Sequence, residues 1–252
     1  MSIKSSYELE SLKKISGIVA YTLKEMIQYA KVGMTTKELD TYGGEILKKL
    51  GAKSAPFLTY KFPGYTCISV NKEFCHGIPS FSKILQEGDL INIDVSAELN
   101  GFWSDNGSSF VLGKDLNQHT DLVEASKYIL KKAIKNIKSG VKISDIGELI
   151  EKEANQKGYR VIKNLSGHGV GSKLHEEPFN LLNYKNIKDP RKFSLNSVIA
   201  LETFIATTSD YAYTTKDGWT MVGNKEGYMA QHEHTLVVTD KEPLVLTELN
   251  GI

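Results

Sequence analysis

Cysteine is nearly absent from this chain. The 252 residues include only two, Cys67 and Cys75. Neither belongs to a C-x-x-C pair, so a thiolate metal knuckle and a disulfide framework are both excluded, and a reducing compartment is expected. No apolar run is long enough to cross a membrane. The opening MSIKSSYELESLKK lacks the apolar core and cleavage site of a secretory signal. A cytoplasmic protein with no membrane partner is therefore expected. An excess of charge of either sign is also missing. Lys plus Arg number 31 against 30 Asp plus Glu, a formal net charge of +1, which argues against a general polyanion binder and predicts no specific nucleic-acid binding. Proline is sparse, and Pro56, Pro63, Pro79, Pro178, Pro190 and Pro243 mark isolated turns. No proline- or glycine-rich linker divides the chain, so a single domain over 1–252 is expected.

Between these turns, helical and strand patterns alternate. Ser5 with Glu8 three residues on resembles a capping box. Leu9, Leu12, Ile15, Val19, Leu23, Met26 and Ala30 then recur at helical spacing, with Gly33 as a natural stop. A second helix is expected from Thr35, through Leu39, Ile46, Leu47 and Leu50, to Gly51. Further helices are predicted over about 121–138 and 143–157. Strands are predicted at 66–70, 89–97, 102–112, 161–165, 198–205 and 231–239. The mixture gives an α/β or α+β class. A faint repeat aligns KVGMTTKEL at 31–39 with KSGVKISDI at 138–146, an offset of 107 that sets Gly33 on Gly140 and Gly51 on Gly158. It suggests two similar halves, about 1–115 and 116–252, packed around a pseudo-twofold axis with a binding cleft between them.

The most informative stretch is GDLINIDVSAELNGFWSDNGSSF, 88–110. Ile91, Ile93 and Val95 alternate with Asn92, Asp94 and Ser96, so one strand face is apolar and the other polar. Asn100-Gly101 is a hairpin turn signal. With Asn-Gly as a two-residue loop, Asp94 faces Gly107 and Asp105 lies diagonally on the same face. With Leu99-Asn100 as the loop, Asp94 faces Asp105 directly. A three-residue loop would separate them onto opposite faces. Two carboxylates on one face repel, burial raises the pKa of one of them, and a cation between them removes the conflict.

Other ionisable residues sit in unusual settings. In SGHGVGSKLHEEP, 166–178, Gly167 and Gly169 flank His168 and free the backbone to turn and present the imidazole. In CHGIP, 75–79, His76 precedes a glycine. Glu202 interrupts the apolar run SVIALETFIA, 197–206, and Glu is rarely buried without a partner. In AQHEHTLVVTD, 230–240, strand alternation sets His232 and His234 on one face and Glu233 on the other. In chain order Asp94, Asp105, His168, Glu202 and Glu233 form a hard, oxygen-rich set that suits a pair of divalent first-row ions, with Mn, Fe, Co and Zn all compatible. Two such ions, roughly 3.5–4 Å apart, can share a water and stabilise a tetrahedral intermediate.

The segments CISVNKEFCHGIP, GDLINIDVSAELNGFWSDNGSSF, GHGVGSKLHEEP and AQHEHTLVVTD resemble, in order and spacing, those of bacterial type I methionine aminopeptidases. The resemblance spans nearly the whole chain. The 34-residue gap from His168 to Glu202 leaves no room for the insertion of type II enzymes, and no zinc-binding N-terminal extension is expected. The resemblance implies a pita-bread fold, with two pseudo-symmetric halves around a curved antiparallel sheet covered by helices. It implies removal of an initiator methionine from nascent chains when the second residue is small. It implies that Asp94 holds one metal, that His168 and Glu202 hold the other, and that Asp105 and Glu233 bridge both. His76 and His175 would contact substrate, and Glu202 would also move a proton. The methionine pocket would be formed by Phe62, Cys67, Leu174 and Trp219. Nascent N-termini are the implied partners, the ribosome is a candidate one, and a monomer is expected. The chain departs from the family pattern at Thr203, where proline is frequent, at Leu174, where an aromatic is frequent, and around Trp103 and Asn106-Gly107-Ser108.

Two other readings compete. A pita-bread peptidase that cleaves before proline would share the five ligands, but such enzymes usually carry an extra N-terminal domain. A non-catalytic relative would typically have lost ligands, and all five candidates are present here.

Overall fold

The computed structural model describes residues 1–250. Five helices are present among them: α1 (Ser6–Tyr29), α2 (Thr36–Lys49), α3 (Ala55–Tyr60), α4 (Thr120–Asn136) and α5 (Ile143–Gln156). The strands are β1 (Lys53–Ser54), β2 (Cys67–Val70), β3 (Glu73–Cys75), β4 (Leu90–Leu99), β5 (Phe102–Val111), β6 (Arg160–Val161) and β7 (Ser166–Gly169). They continue with β8 (Glu176–Leu182), β9 (Val198–Ala206), β10 (Ala212–Thr214), β11 (Met221–Gly223), β12 (Met229–Val237) and β13 (Leu244–Val245).

One antiparallel sheet runs in the order β1-β4-β5-β12-β9-β7-β8, with β2, β6 and β13 attached to its strands. A small three-stranded sheet, β10-β11-β3, lies apart from it. This is the α+β arrangement expected of the pita-bread class.

Helices cover one face of the large sheet. Ile15, Val19, Leu23 and Met26 of α1 pack with Ile91, Ile93, Val95 and Ala97 of β4. Ile129, Leu130, Ala133 and Ile134 of α4 pack with Ile199, Leu201 and Ile205 of β9 and with Ala230 and Leu236 of β12. Strand alternation then sends Asn92, Asp94, Ser96, Glu202, Gln231 and Glu233 to the opposite face. The apolar periodicity of the helix side thus fixes which carboxylates share a surface.

The local signals work largely as expected. The Ser5 hydroxyl accepts from Glu8 N at the start of α1, although the Glu8 carboxylate accepts from Lys4 N rather than completing the box on Ser5. Thr35 and Glu38 form a full capping box on α2. Helix α1 ends at Tyr29, ahead of Gly33, whose φ of +86° serves the following turn. The strand expected over 161–165 is shorter. After Val161 the side chain of Asn164 bonds both N and O of Ala212, which takes the chain out of the ladder before β7 begins.

The two halves correspond closely. Helices α2 and α5 have equal length at the 107-residue offset, and Gly33 and Gly140 share φ +86°. Edge strand β1 begins opposite Glu98 of β4, and β6 begins opposite Ala206 of β9. Asp94 lies four residues before the first of these partners and Glu202 four before the second, so they occupy equivalent positions.

The halves meet where β5 runs beside β12. There the backbones pair only at Ser108 and His232, and two hydroxyls bridge the gap. Ser109 Oγ accepts from Gln231 N (2.9 Å) and donates to Gln231 O (3.0 Å). Thr235 Oγ1 accepts from Asp105 N (3.0 Å) and donates to Asp105 O (2.7 Å). Each hydroxyl satisfies both backbone groups of a residue that carries a site side chain. Ser109→Ala leaves the two backbone groups of Gln231 buried without these partners, at an expected cost of about 1–3 kcal/mol. Urea unfolding checks this, and an unchanged midpoint would show that the seam does not rest on the hydroxyl.

Candidate metal centre and adjoining pocket

The β4–β5 hairpin turns on Asn100 and Gly101, with φ of +52° and +85°. Its register is that of the two-residue loop: Asp94 opposite Gly107 and Asp105 opposite Ser96. The two carboxylates therefore share a face diagonally. On the other half, Glu202 of β9 stands directly opposite Glu233 of β12. Strand β7 brings His168 to the same place, beside Ala200 of β9. Its Nε2 lies 3.7 Å from Asp105 Oδ2 and 3.8 Å from Glu202 Oε1. Donor atoms of Asp105, His168 and Glu233 all fall within 4.8 Å of one another.

The glycines around His168 have a different physical role from the one expected. Neither adopts a positive φ. A Cβ on Gly167 would stand 2.5 Å from Ala200 O, and one on Gly169 would stand 2.3 Å from Glu177 O. They let neighbouring strands close on the histidine rather than let its backbone turn. Gly107 is similar, because a Cβ there would collide with the Gln231 amide at 2.3 Å.

Four carboxyl groups so close and so deep cannot all ionise cheaply. Burial raises the Asp94 pKa to about 6, even with a hydrogen bond from Asp105 acting to lower it. Burial also pushes Asp105 well up, with the charges of Glu233 and Asp94 adding to it. Glu202 is raised by burial and then by Asp105 and Asp94, and Glu233 by burial and then by Glu202 and Asp94. Burial drives His168 down to about 3, and His175 beside it contributes. The imidazole is thus neutral, the form that ligates metal.

The donors fit a divalent cation. Glu233 Oε2 accepts from Gln231 Nε2 at 3.0 Å, whereas Glu233 Oε1 is buried with no hydrogen-bond partner. A buried carboxylate oxygen aimed into a cluster of like charges and a neutral imidazole is the arrangement a cation completes.

A cavity of ≈ 280 Å³ opens beside this cluster. Its lining includes all eleven residues expected from the sequence: Asp94, Asp105, His168, Glu202 and Glu233, then His76 and His175, then Phe62, Cys67, Leu174 and Trp219. Phe62 and Trp219 meet edge to face with ring centroids 5.2 Å apart, a favourable geometry for an apolar wall. His76 and His175 are deeply surrounded yet expose their rings to the cavity space. Burial lowers both, and the neighbouring His76 helps bring His175 to about 4. His76 holds a φ of +55°, a backbone strain of about 1–3 kcal/mol of the sort that persists where surrounding structure imposes it.

His232 and His234 lie on the helix side of β12, away from the cavity. His234 Nδ1 pairs with Thr247 Oγ1 at 2.8 Å. Thr203, where proline is frequent in the family pattern, is fully buried, and its hydroxyl lies 3.2 Å from that of Ser126 on α4. The strand is tied to the helix by side chains instead of by a proline ring.

Several residues at the site escaped the sequence reading. Asn92 donates to Gln231 Oε1 at 2.8 Å, and Gln231 in turn donates to Glu233. Asn183 donates to Glu202 O and accepts from Phe204 N, pinning the backbone around Glu202. Tyr60 reaches His175 Nδ1 at 2.7 Å. The polar alternation of β4 could have flagged Asn92. Asn183 and Tyr60 carry no pattern of their own, and α3 was not expected.

A neutral imidazole and buried carboxyls converging on an open cavity are the donor set of a metal-dependent hydrolase. The chain belongs to the metallopeptidase family M24, whose model matches residues 10–240. It is 46% identical to methionine aminopeptidase 2 of Bacillus subtilis over 249 residues, 99% of this chain and all of that one. The crystal structure of methionine aminopeptidase from Thermotoga maritima superposes with a TM-score of 0.92 at 33% identity, covering 98% of this chain and 99% of the other. A prolidase from Pyrococcus furiosus shares the fold at a TM-score of 0.77 and 24% identity, but this chain covers only 65% of it.

The buried carboxyls also set a pH response. Between about pH 7.5 and 9, above the ordinary histidine pKa, the histidines are almost wholly neutral in both folded and unfolded states, so they contribute little slope. The unfolded carboxylates are ionised there, whereas burial and mutual repulsion raise the pKa values of the folded, metal-free cluster and favour its protonated form. Metal-free protein should lose stability as pH rises through this window, and a divalent metal should flatten the dependence. Thermal melts with and without metal check this. A metal-free midpoint that climbs with pH would contradict the sign.

Proposed function

We infer that the chain is a methionine aminopeptidase, which removes the N-terminal methionine of nascent proteins whose second residue is small. The observation that carries the inference is one cavity with two unlike walls. A carboxylate–imidazole cluster with an orphaned Glu233 oxygen adjoins an apolar wall of Phe62, Cys67, Leu174 and Trp219. An unbranched apolar side chain fits such a wall, and a thioether packs well against aromatic edges.

In this reading the family's divalent metal is a pair of ions, with Co, Mn, Fe and Zn all compatible. Asp94 would hold one, His168 and Glu202 would hold the other, and Asp105 and Glu233 would serve both. When bound, such ions supply Lewis acidity and lower the pKa of water towards neutrality. The protein's own groups do the rest. Glu202 accepts a proton from the attacking water and returns it to the leaving amine. His76 and His175, both neutral, donate hydrogen bonds to the developing oxyanion or to the scissile amide. Asn92 and Gln231 orient Glu233. Residues 1–252 act as one catalytic domain, with halves of about 1–115 and 116–252 meeting at the seam. The protein works as a cytoplasmic monomer on emerging N-termini, where the ribosome is a candidate partner.

The test is purified protein reloaded with Mn, Co or Fe and assayed on Met-Ala-Ser against a Xaa-Pro dipeptide. Met-Ala-Ser should be strongly preferred, and the reverse preference would sink the reading. His168→Ala and Glu202→Ala should each abolish turnover and weaken metal binding, measured by kinetics and calorimetry. Full activity in either would refute its assignment. His76→Ala should keep its metal yet lose roughly 10²–10³ in kcat, the scale of losing one oxyanion donor.

A further inference from the structure

Helix α3 is short and closely anchored. Ser54 Oγ caps it by accepting from Phe57 N (3.3 Å) and donates to Tyr65 O (2.7 Å). Lys61 ends it in the left-handed region at φ +59°. This pins Tyr60, its last residue, at the cavity mouth, 45% exposed and with its ring 6.5 Å from that of Trp219. The phenol oxygen lies 2.7 Å from Nδ1 of His175, a bond linking residues 115 positions apart. The His175 ring also packs on His168, with centroids 4.0 Å apart. The imidazole is thus held between two elements, with one nitrogen engaged by Tyr60.

A neutral imidazole carries one ring proton, so its two nitrogens have opposite roles. If Nδ1 accepts from Tyr60, the proton sits on Nε2. If Nδ1 donates to the phenol oxygen, Nε2 can only accept. The first arrangement is the stronger, because a phenol is the better donor and an imidazole nitrogen the better acceptor. We propose that Tyr60 is a positioning residue that fixes His175 as the Nε2–H tautomer, so that this ring meets the reacting carbonyl as a hydrogen-bond donor. Tyr60 acts through His175. Its kinetic consequence rests on the aminopeptidase reading, whereas the tautomer itself does not.

The test uses full-length protein and Tyr60→Phe, which keeps the ring and removes only the hydroxyl. Long-range 1H–15N spectra of the metal-free protein report which nitrogen of each histidine is protonated. The chain has six histidines, and the resonances of His175 are to be identified by their loss in His175→Ala. In the parent protein His175 should carry its proton on Nε2, and in Tyr60→Phe a mixture of tautomers should appear. On Met-Ala-Ser, Tyr60→Phe should lower kcat by about tenfold, less than full removal of an oxyanion donor, with KM within about twofold. In a His175→Ala background the same substitution should have no further effect, as a double-mutant cycle requires for a residue acting through that ring. A proton on Nδ1 in the parent protein would overturn the proposal. So would an additive loss of kcat in the double variant, or a parent-like kcat in Tyr60→Phe. Failure of the parent protein to cleave Met-Ala-Ser would instead sink the peptidase reading, with the tautomer spectrum still deciding the role of Tyr60.

Discussion

Repulsion among four buried carboxyl groups is the constraint around which the rest of this structure is arranged. Asp94, Asp105, Glu202 and Glu233 share one sheet face, and burial is the largest cause of the raised pKa in each. Left alone, such a cluster opposes folding at neutral pH. It is tolerable because the opposite face is densely apolar, with Ile91, Ile93 and Val95 under α1 and Ile199, Leu201 and Ile205 under α4. It is usable because the conflict disappears when a cation binds. The hydroxyl bridges of Ser109 and Thr235 and the Asn92–Gln231–Glu233 relay hold the carboxyls in place. The destabilising feature and the functional feature are thus one cluster.

The pseudo-twofold relation explains how such a site arises from two similar halves, and also where the halves must differ. Asp94 and Glu202 are equivalent positions, but their cross-strand partners are Gly107 and Glu233. A third glutamate, in place of Gly107, would add a fifth carboxylate and collide with Gln231. The asymmetry is therefore required by both electrostatics and space. One half supplies a diagonal Asp pair and the other a direct Glu pair, and His168 comes from a strand of the second half alone. The seam hydroxyls, by contrast, remain nearly symmetric, because each performs the same backbone task.

Much of this was legible in the sequence, for identifiable reasons. Strict alternation in Ile91–Ser96 and the Asn100-Gly101 turn were enough to put Asp94 and Asp105 on one face, once the register was known. Register was the open point, since three loop choices gave three arrangements. Positive φ at both loop residues decides it. Glu233 could be separated from its flanking histidines by alternation alone. What stayed hidden was contact between distant segments. The glycines beside His168 were read as freedom to turn, but they serve close strand approach, which no local pattern reports. Tyr60, Asn183 and Gln231 act through partners tens of residues away or through hydrogen bonds that leave no periodic trace. Strand β8 leaves little trace because it is a sheet edge in which only Leu181 is buried and apolar alternation is absent.

The departures from the family pattern read differently once their surroundings are known. Leu174 stands where an aromatic is frequent, yet that residue is nearly fully buried and the cavity lining keeps the rings of Tyr60, Phe62 and Trp219. Phe62 and Trp219 meet edge to face, and Tyr60 leans on both Trp219 and His175. Leu174 therefore adds an aliphatic side chain to a cavity lining that already carries three aromatic rings. Thr203 follows the same logic. Proline would stiffen the strand beside Glu202 covalently, whereas Thr203 ties it to Ser126 on α4 through a hydroxyl. That coupling joins the position of a site carboxylate to the packing of the helix behind it. Rigidity at the site is therefore a property of the folded layers rather than of the strand's own backbone.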